Sequence, residues 1–175
     1  MEGHHRIKSK QSFWFVSTLA LIALPVWAQP LTESMTDAVE RPLAYQQLAG
    51  NTFVYNPRSL QWKAVKNGKV IRTGRGSGGK GYCKDVRRAC RTPTGTYRII
   101  SKGGPGCKSS RYPVGKGGAP MPYCMFFSKY YAIHGSPDVP NYNASHGCVR
   151  VKPHDARWLS HHFLEVGSQV EIKPY

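Results

Sequence analysis

Apolar and polar residues alternate in several short stretches of this chain, a pattern typical of strands that bury one face. Two such runs, residues 62–66 and 69–72, flank Asn67-Gly68, and this dipeptide between alternating runs predicts a tight hairpin. Residues 155–163 carry the helical pattern of the chain. Further strands are predicted at residues 52–55, 97–100, 125–133 and 169–172. Together these elements predict a mainly β fold, a compact sandwich or barrel with one late helix.

The N-terminal 28 residues have the three-part pattern of a secretory signal peptide. Basic residues at Arg6, Lys8 and Lys10 precede an apolar run over residues 13–27, which ends at the small residue Ala28. The run falls short of the ~20 residues of a membrane-spanning helix. We therefore expect cleavage after Ala28 rather than an uncleaved anchor, and secretion to the periplasm or cell envelope without a stable membrane anchor. Disulfides persist in such an oxidising space.

Composition changes along the rest of the chain. Residues 29–50 hold three acids and an interrupting proline, which indicates a linker. With 40% apolar residues among 175, the chain can bury a core, and this excludes a wholly disordered basic tail. The net charge is +16, and between Arg58 and Lys129 the only acid is Asp85 among seventeen basic residues. Such a surface concentrates anionic partners.

A glycine-rich segment over residues 74–81 matches the dinucleotide pattern G-x-G-x-x-G and nearly matches a phosphate-binding loop. Gly81 stands where the second pattern requires a Ser or Thr hydroxyl. No helical pattern follows to present its N-terminal amides to a phosphate. We interpret the segment as a mobile cationic loop rather than a nucleotide site.

The residues best suited to catalysis lie in two short strings, one around His134 and one around Cys148. A thiol, with a pKa of about 8.5, needs a neighbouring base or positive charge to become a useful nucleophile at neutral pH. His134 ends one predicted strand and Cys148 opens another, so the two side chains are expected to meet across neighbouring strands. Gly147 permits a tight bend that frees backbone amides for an oxyanion. Arg150, on the strand face of Cys148, is placed to hold a substrate carboxylate.

Cysteine and histidine also occur in metal sites and in structural disulfides, and an inert thiol is the other interpretation of Cys148. Zinc sites usually place their ligands at C-x₂-C or H-x₃-H spacing, and neither spacing occurs in this sequence. His154, His161 and His162 fall on the predicted late helix and are interpreted as surface residues. We therefore expect no metal and no cofactor.

The two strings resemble a known family. SHGCVRV at residues 145–151, preceded by IHG at 133–135 and by TPTGTY at 92–97, is similar to the catalytic domain of the L,D-transpeptidases (YkuD-type). The resemblance covers roughly residues 51–173 and implies that these residues form the catalytic domain. It also implies that Cys148 is the nucleophile and that a histidine upstream, His134, is the general base and acid.

Supporting roles follow from the same resemblance. It implies that the carbonyl of Gly135 orients the imidazole and that the amides of Gly147 and Cys148 form an oxyanion hole. Ser145 and His146 would shape that hole. The interval from His134 to Ser145 is a few residues shorter than the family pattern, which implies a reduced active-site lid.

The activity that the resemblance implies is transpeptidation on peptidoglycan. The thiolate attacks the carbonyl of the third stem residue and expels the terminal D-Ala, and an amine then resolves the thioester. That amine belongs to a second stem peptide (a 3→3 crosslink), a lipoprotein or a free D-amino acid. Carbapenem-type β-lactams, which acylate this family, are implied inhibitors. The alternatives are a cysteine hydrolase that uses water and a non-catalytic basic wall-binding module; nucleic acid is not expected as a partner of a secreted protein.

The five cysteines form an odd set. A catalytic Cys148 must stay reduced, which leaves the other four to pair in one of three ways. We favour Cys83–Cys90, because these residues bracket a short and highly charged stretch. Cys107–Cys124 would then clamp the Gly/Pro-rich segment between them.

Overall fold

Eleven short strands carry most of the fold in the computed structural model, which describes residues 50–175. They are β1 (Asn51–Asn56), β2 (Gln61–Lys66), β3 (Lys69–Ser77), β4 (Tyr82–Cys83), β5 (Arg88–Ala89), β6 (Gly95–Arg98), β7 (Ser101–Lys102), β8 (Met125–Phe126), β9 (Ala132–Gly135), β10 (Val149–Val151) and β11 (Gln169–Ile172). One helix, α1 (Pro153–Trp158), continues into a π-helical turn over Leu159–Phe163. Nine strands form one sheet in the order β6-β11-β1-β2-β3-β10-β9-β8-β7, while β4 and β5 form a separate hairpin. The predicted mainly β fold is confirmed.

The hairpin of β2 and β3 forms where the sequence predicts it. Lys66 pairs with Lys69 across a two-residue turn. Asn67 and Gly68 have φ angles of 49° and 78°, the left-handed values that this turn type requires. In β2, Trp62 is fully buried between exposed neighbours, so alternation directs one face of the sheet into the core.

The core lies between the sheet and the late helix. Every second residue of β1 and β11 is buried, and α1 with its π-helical turn covers the same layer. The fully or almost fully buried side chains of these elements are Phe53, Tyr55, Val170, Ile172, Ala156, Leu159 and Phe163. Each of the larger ones stabilises the fold by roughly 1.5–3 kcal/mol relative to exposure. Pro153 begins the helix, a position where its missing N–H costs nothing.

The predicted signal peptide (residues 1–28) and all but the last residue of the predicted linker lie outside the described residues. Within residues 50–175, neither helical segment has the length and apolar character needed to cross a membrane.

Two predicted strands are shorter than the alternation suggested. The stretch 125–133 is a hairpin of β8 and β9, in which Phe126 pairs with Ala132. The N–H of Phe127 donates to the carbonyl of Tyr131 (3.0 Å), so residues 127–131, three of them aromatic, form a turn. Aromatic residues are enriched in strands, so the sequence of this turn resembled a continuous strand. The stretch 97–100 likewise leaves its strand after Arg98.

The glycine-rich segment is not the mobile loop that its composition predicted. Gly74 and Gly76 lie within β3, where the backbone packs directly on aromatic rings. A β-carbon at Gly74 would lie 2.6 Å from the Trp62 ring, and one at Gly76 would lie 2.8 Å from the Tyr55 ring. Glycine is therefore required by close packing. The next element is strand β4 and not a helix.

Both disulfides favoured from the sequence are present. Cys83–Cys90 closes the β4–β5 hairpin, with a Cα–Cα distance of 6.0 Å. Cys107–Cys124 closes a longer loop, with a Cα–Cα distance of 6.1 Å. Among residues 50–175, Cys148 is the free cysteine.

Thiol counting tests this arrangement. Denatured but unreduced protein is expected to expose one thiol per chain, on the peptide that contains Cys148, because the other four cysteines are bridged. Closing the Cys107–Cys124 loop is expected to stabilise the fold by about 3 kcal/mol, measured as the loss on replacing both cysteines by serine. Three or five free thiols, or a bridged Cys148 in non-reducing peptide maps, would contradict the scheme.

Candidate active site

Two parallel strands bring the predicted nucleophile and base to one cavity. In the pairing of β9 with β10, His134 lies opposite Arg150 and Ile133 lies opposite Val149. Cys148 directly precedes β10, so it lies diagonally across the strand pair from His134. Both residues line a cavity of about 240 Å³. The structure thus places together the two residues that the sequence singled out for chemistry.

His134 is held as a neutral base. Its ring is buried, and Nδ1 lies 2.9 Å from the carbonyl oxygen of Gly135. A carbonyl only accepts, so Nδ1 carries the proton and Nε2 keeps its lone pair. Burial lowers the pKa of His134 to about 4; the Gly135 carbonyl opposes this shift, while the positive charge of Arg150 adds to it. At neutral pH the ring therefore has a free basic nitrogen.

Cys148 is a neutral thiol at rest. Burial raises the pKa of the thiol, while a backbone hydrogen bond from Ala132 and the charge of Arg150 act in the opposite direction. The Sγ lies 3.9 Å from the carbonyl oxygen of Tyr130. Because the thiol keeps its proton, it needs a base at the moment of reaction rather than before it.

The turn before the nucleophile is tightly built. The Ser145 hydroxyl donates to the carbonyl of Cys148 (2.5 Å) and accepts from the N–H of Gly147 (3.0 Å). Gly147 has a φ of +124°, and a β-carbon there would overlap the Tyr131 ring. The amide of Gly147, implied by the resemblance as an oxyanion donor, is thus bonded to Ser145 in this structure. Its role in an oxyanion hole remains a prediction.

His146 forms part of the cavity wall, and its imidazole is held from two sides. Its Nε2 lies 2.7 Å from Oδ2 of Asp85, which lies in the turn of the β4–β5 hairpin. The Tyr112 ring stacks on it, with centroids 4.2 Å apart. Neither partner was assigned a role from the sequence.

Arg150 lines the cavity but already has an anionic partner. Its Nη1 donates to Oδ2 of Asp138 at 2.7 Å. Three more cations line the same cavity, namely Lys108, Arg111 and Lys129. Within the described residues no carboxylate lies within 4.0 Å of these three. The cavity therefore has a strongly positive lining.

The cover of the cavity comes from a different segment than expected. The loop between His134 and Ser145 contributes only Ser136 and Asp138 to the lining. Most of the opposite wall belongs to the loop closed by Cys107–Cys124. The loop after His134 is short, and the loop closed by Cys107–Cys124 lines the cavity in its place. The sequence predicted the Cys107–Cys124 disulfide, but it gave no indication that the loop closed by this disulfide lines the cavity.

One further group of metal-ligand residue types lies beside this wall. Atoms of Cys83, Asp85 and His146 lie within 4.8 Å of one another. The Cys83 sulfur is bonded to Cys90, so it offers no thiolate. The group does not provide a zinc ligand set in this state.

A free cysteine and a histidine oriented by a backbone carbonyl thus share one cavity of a mainly β fold. The family model of the L,D-transpeptidase catalytic domain matches residues 52–172, and the chain belongs to this family. No curated protein sequence matches it.

Solved structures share the fold. The L,D-transpeptidase (residues 123–326) from Xylanimonas cellulosilytica is 27% identical, with a TM-score of 0.64, over 71% of this chain and 61% of that one. An L,D-transpeptidase from Mycobacterium smegmatis is 21% identical (TM-score 0.59), over 72% of this chain and 59% of that one. L,D-transpeptidase 3 from Mycobacterium tuberculosis, in complex with a faropenem-derived adduct, is 19% identical (TM-score 0.59), over 71% and 60%. This chain thus spans about three-fifths of the length of the structures it matches.

The requirement for glycine at position 147 can be tested directly. Gly147→Ala is expected to lower the free energy of unfolding by about 1–3 kcal/mol, because of its φ and the collision with Tyr131. It should also displace Cys148 and slow alkylation of the thiol. Gly81→Ala is the control, since a β-carbon there meets nothing within 4 Å. Equal stability and thiol reactivity of the two variants in parallel urea and alkylation experiments would contradict the assignment.

Proposed function

We propose that this protein is a peptidoglycan L,D-transpeptidase with Cys148 as nucleophile and His134 as general base and acid. The observation that carries the proposal is the hydrogen bond between His134 Nδ1 and the Gly135 carbonyl, which leaves Nε2 basic in the cavity of the free thiol. Family membership supports the reaction class. The predicted signal peptide supports action in the periplasm or cell envelope.

The reaction proceeds in two half-reactions. His134 Nε2 takes the proton of the Cys148 thiol as the sulfur attacks the carbonyl of the third stem residue. The imidazolium then gives that proton to the departing amine of D-Ala, and a thioester remains. An acceptor amine attacks the thioester, with Nε2 taking its proton and returning it to the sulfur. Each step uses the same nitrogen in alternate roles.

The neutral resting pair fits this sequence of proton transfers. His134 is buried and Cys148 is half-buried, so charge separation between them is disfavoured until a substrate carbonyl can accept the electrons of sulfur. Arg150 favours the thiolate that develops during attack. The thiolate therefore forms only when substrate is bound, and it is not present in the resting enzyme.

The positive lining of the cavity supports an anionic substrate. Lys108, Arg111 and Lys129 are solvent-exposed and have no carboxylate partner within residues 50–175. Several like charges along one cleft raise the local concentration of carboxylates. Stem peptides of peptidoglycan carry several carboxylates. This favours stem peptides as donor and acceptor, and it gives Arg150 a carboxylate-binding role in competition with Asp138.

Acylation by a carbapenem tests the nucleophile and the base. Intact protein is expected to gain the inhibitor mass on the peptide that contains Cys148, and Cys148→Ser is expected to stay unmodified. His134→Ala should slow acylation by about 10²–10⁴-fold, because the thiol loses its proton acceptor. If His146→Ala slows acylation and His134→Ala does not, His146 is the base and the assignment of His134 is wrong. Inhibitor mass on a peptide without Cys148 would show that Cys148 is not the nucleophile.

The products of a disaccharide-tetrapeptide separate the possible activities. Mass spectrometry is expected to show loss of D-Ala together with a crosslinked dimer. A free tripeptide alone would indicate a hydrolase. Unchanged substrate, with binding preserved in Cys148→Ser, would indicate a non-catalytic wall-binding module.

The pH profile of acylation tests the buried base. The rate constant at limiting carbapenem is expected to fall as the pH decreases through about 4, because protonation of His134 removes its lone pair. An exposed histidine would give this loss near pH 6.5. Arg150→Gln should move the inflection to higher pH, since the charge of Arg150 lowers the pKa of His134. Near-UV circular dichroism checks that the fold persists, and an inflection at pH 6–7 in the wild type would contradict the burial argument.

A further inference from the structure

We propose that Asp85 is a positioning residue for the reaction, acting through His146 on the turn that carries Cys148. This inference rests on the proposed function, because its effect is measured on acylation of Cys148. It assigns a purpose to the one acid between Arg58 and Lys129.

The contact itself is well defined. Oδ2 of Asp85 lies 2.7 Å from Nε2 of His146, and a carboxylate only accepts, so Nε2 donates. Partial loss of hydration works to raise the pKa of Asp85, but the hydrogen bond and charge of His146 outweigh it, and the pKa lies below its ordinary value. The side chain of Asp85 is 45% exposed and that of His146 is 24% exposed. The pair is thus accessible to substitution without opening the core.

His146 needs an anchor because of the residue that follows it. Gly147 has a φ of +124°, and glycine restrains the backbone less than any other residue. The Ser145 hydroxyl holds this turn through the N–H of Gly147 and the carbonyl of Cys148. The side chain of His146 is a second restraint, on the residue that directly precedes Gly147. Asp85 fixes one edge of the imidazole, and the Tyr112 ring covers its face at 4.2 Å.

The hairpin that carries Asp85 is firmly attached to the same turn. The N–H of Lys80, just before β4, donates to the carbonyl of Ser145 (3.0 Å). The N–H of Ser145 donates back to the carbonyl of Gly78 (2.9 Å). The Cys83–Cys90 bridge closes the hairpin, and the Cys90 sulfur lies 3.8 Å from the Ser145 carbonyl oxygen. Asp85 is thus presented to His146 by a fixed element.

This arrangement has a kinetic consequence. Releasing His146 would let the turn sample other backbone conformations, and misplacement of a reacting group by about 1 Å costs roughly 10²-fold in rate. The loss should fall on the maximal rate of acylation and not on the carbapenem concentration at half-saturation, because Asp85 itself does not line the cavity.

A double-mutant cycle tests the inference. Asp85→Ala is expected to lower the maximal acylation rate by about 10- to 100-fold, with half-saturation and Tm close to those of the wild type. Asp85→Asn keeps an oxygen that accepts from Nε2 and should recover most of the rate. In a His146→Ala background, Asp85→Ala should have little further effect. Glu165→Gln is the control, a carboxylate-to-amide change in a surface ion pair with Lys102 outside the cavity.

The outcomes are separable. A wild-type rate for Asp85→Ala, additive losses with His146→Ala, or no recovery in Asp85→Asn would each overturn the positioning role while leaving the proposed function intact. Failure of the wild-type protein to be acylated at Cys148 would instead overturn the proposed function. A Tm of Asp85→Ala low enough to unfold the protein at the assay temperature would explain the lost rate and reduce Asp85 to a structural residue.

Discussion

The parallel pairing of β9 with β10 is the interaction on which the site depends. It sets His134 opposite Arg150 and brings Cys148 to the start of the neighbouring strand. Both strands are interior to the nine-stranded sheet, between β3 and β8, and the side chains of Ile133 and Val149 are fully buried. A slip of one residue would turn these apolar side chains away from the core. The free energy of core packing therefore enforces the alignment of the reacting groups.

Burial governs the chemistry as well as the alignment. The same low-dielectric surroundings that stabilise the strands keep both His134 and Cys148 uncharged at rest. Positive charge is instead placed on long side chains that line the cavity, such as Lys108 and Lys129. The site thus keeps its charged side chains apart from the neutral pair: the cations lie along the cavity lining, while His134 and Cys148 lie on the paired strands.

Local signals in the sequence were sufficient for much of this picture. Asn67-Gly68 dictates its own turn, and the string around Cys148 is specific enough to indicate the family and its fold. The hairpin within residues 125–133 was missed because three of the five residues between its strands are aromatic. The partners of His146 were missed for another reason: Asp85 and Tyr112 are 61 and 34 positions away along the chain, and only the folded loops bring them together.

The Cys83–Cys90 bridge also makes the support of His146 dependent on redox conditions. Before oxidation, the stretch between these cysteines has mostly charged side chains and little apolar surface to fold it. The paired residues of β9 and β10 include no cysteine, whereas the turn that presents Asp85 is covalently closed by the bridge. Disulfide formation needs an oxidising compartment. The support of His146 therefore includes a covalent bond that only an oxidising compartment maintains.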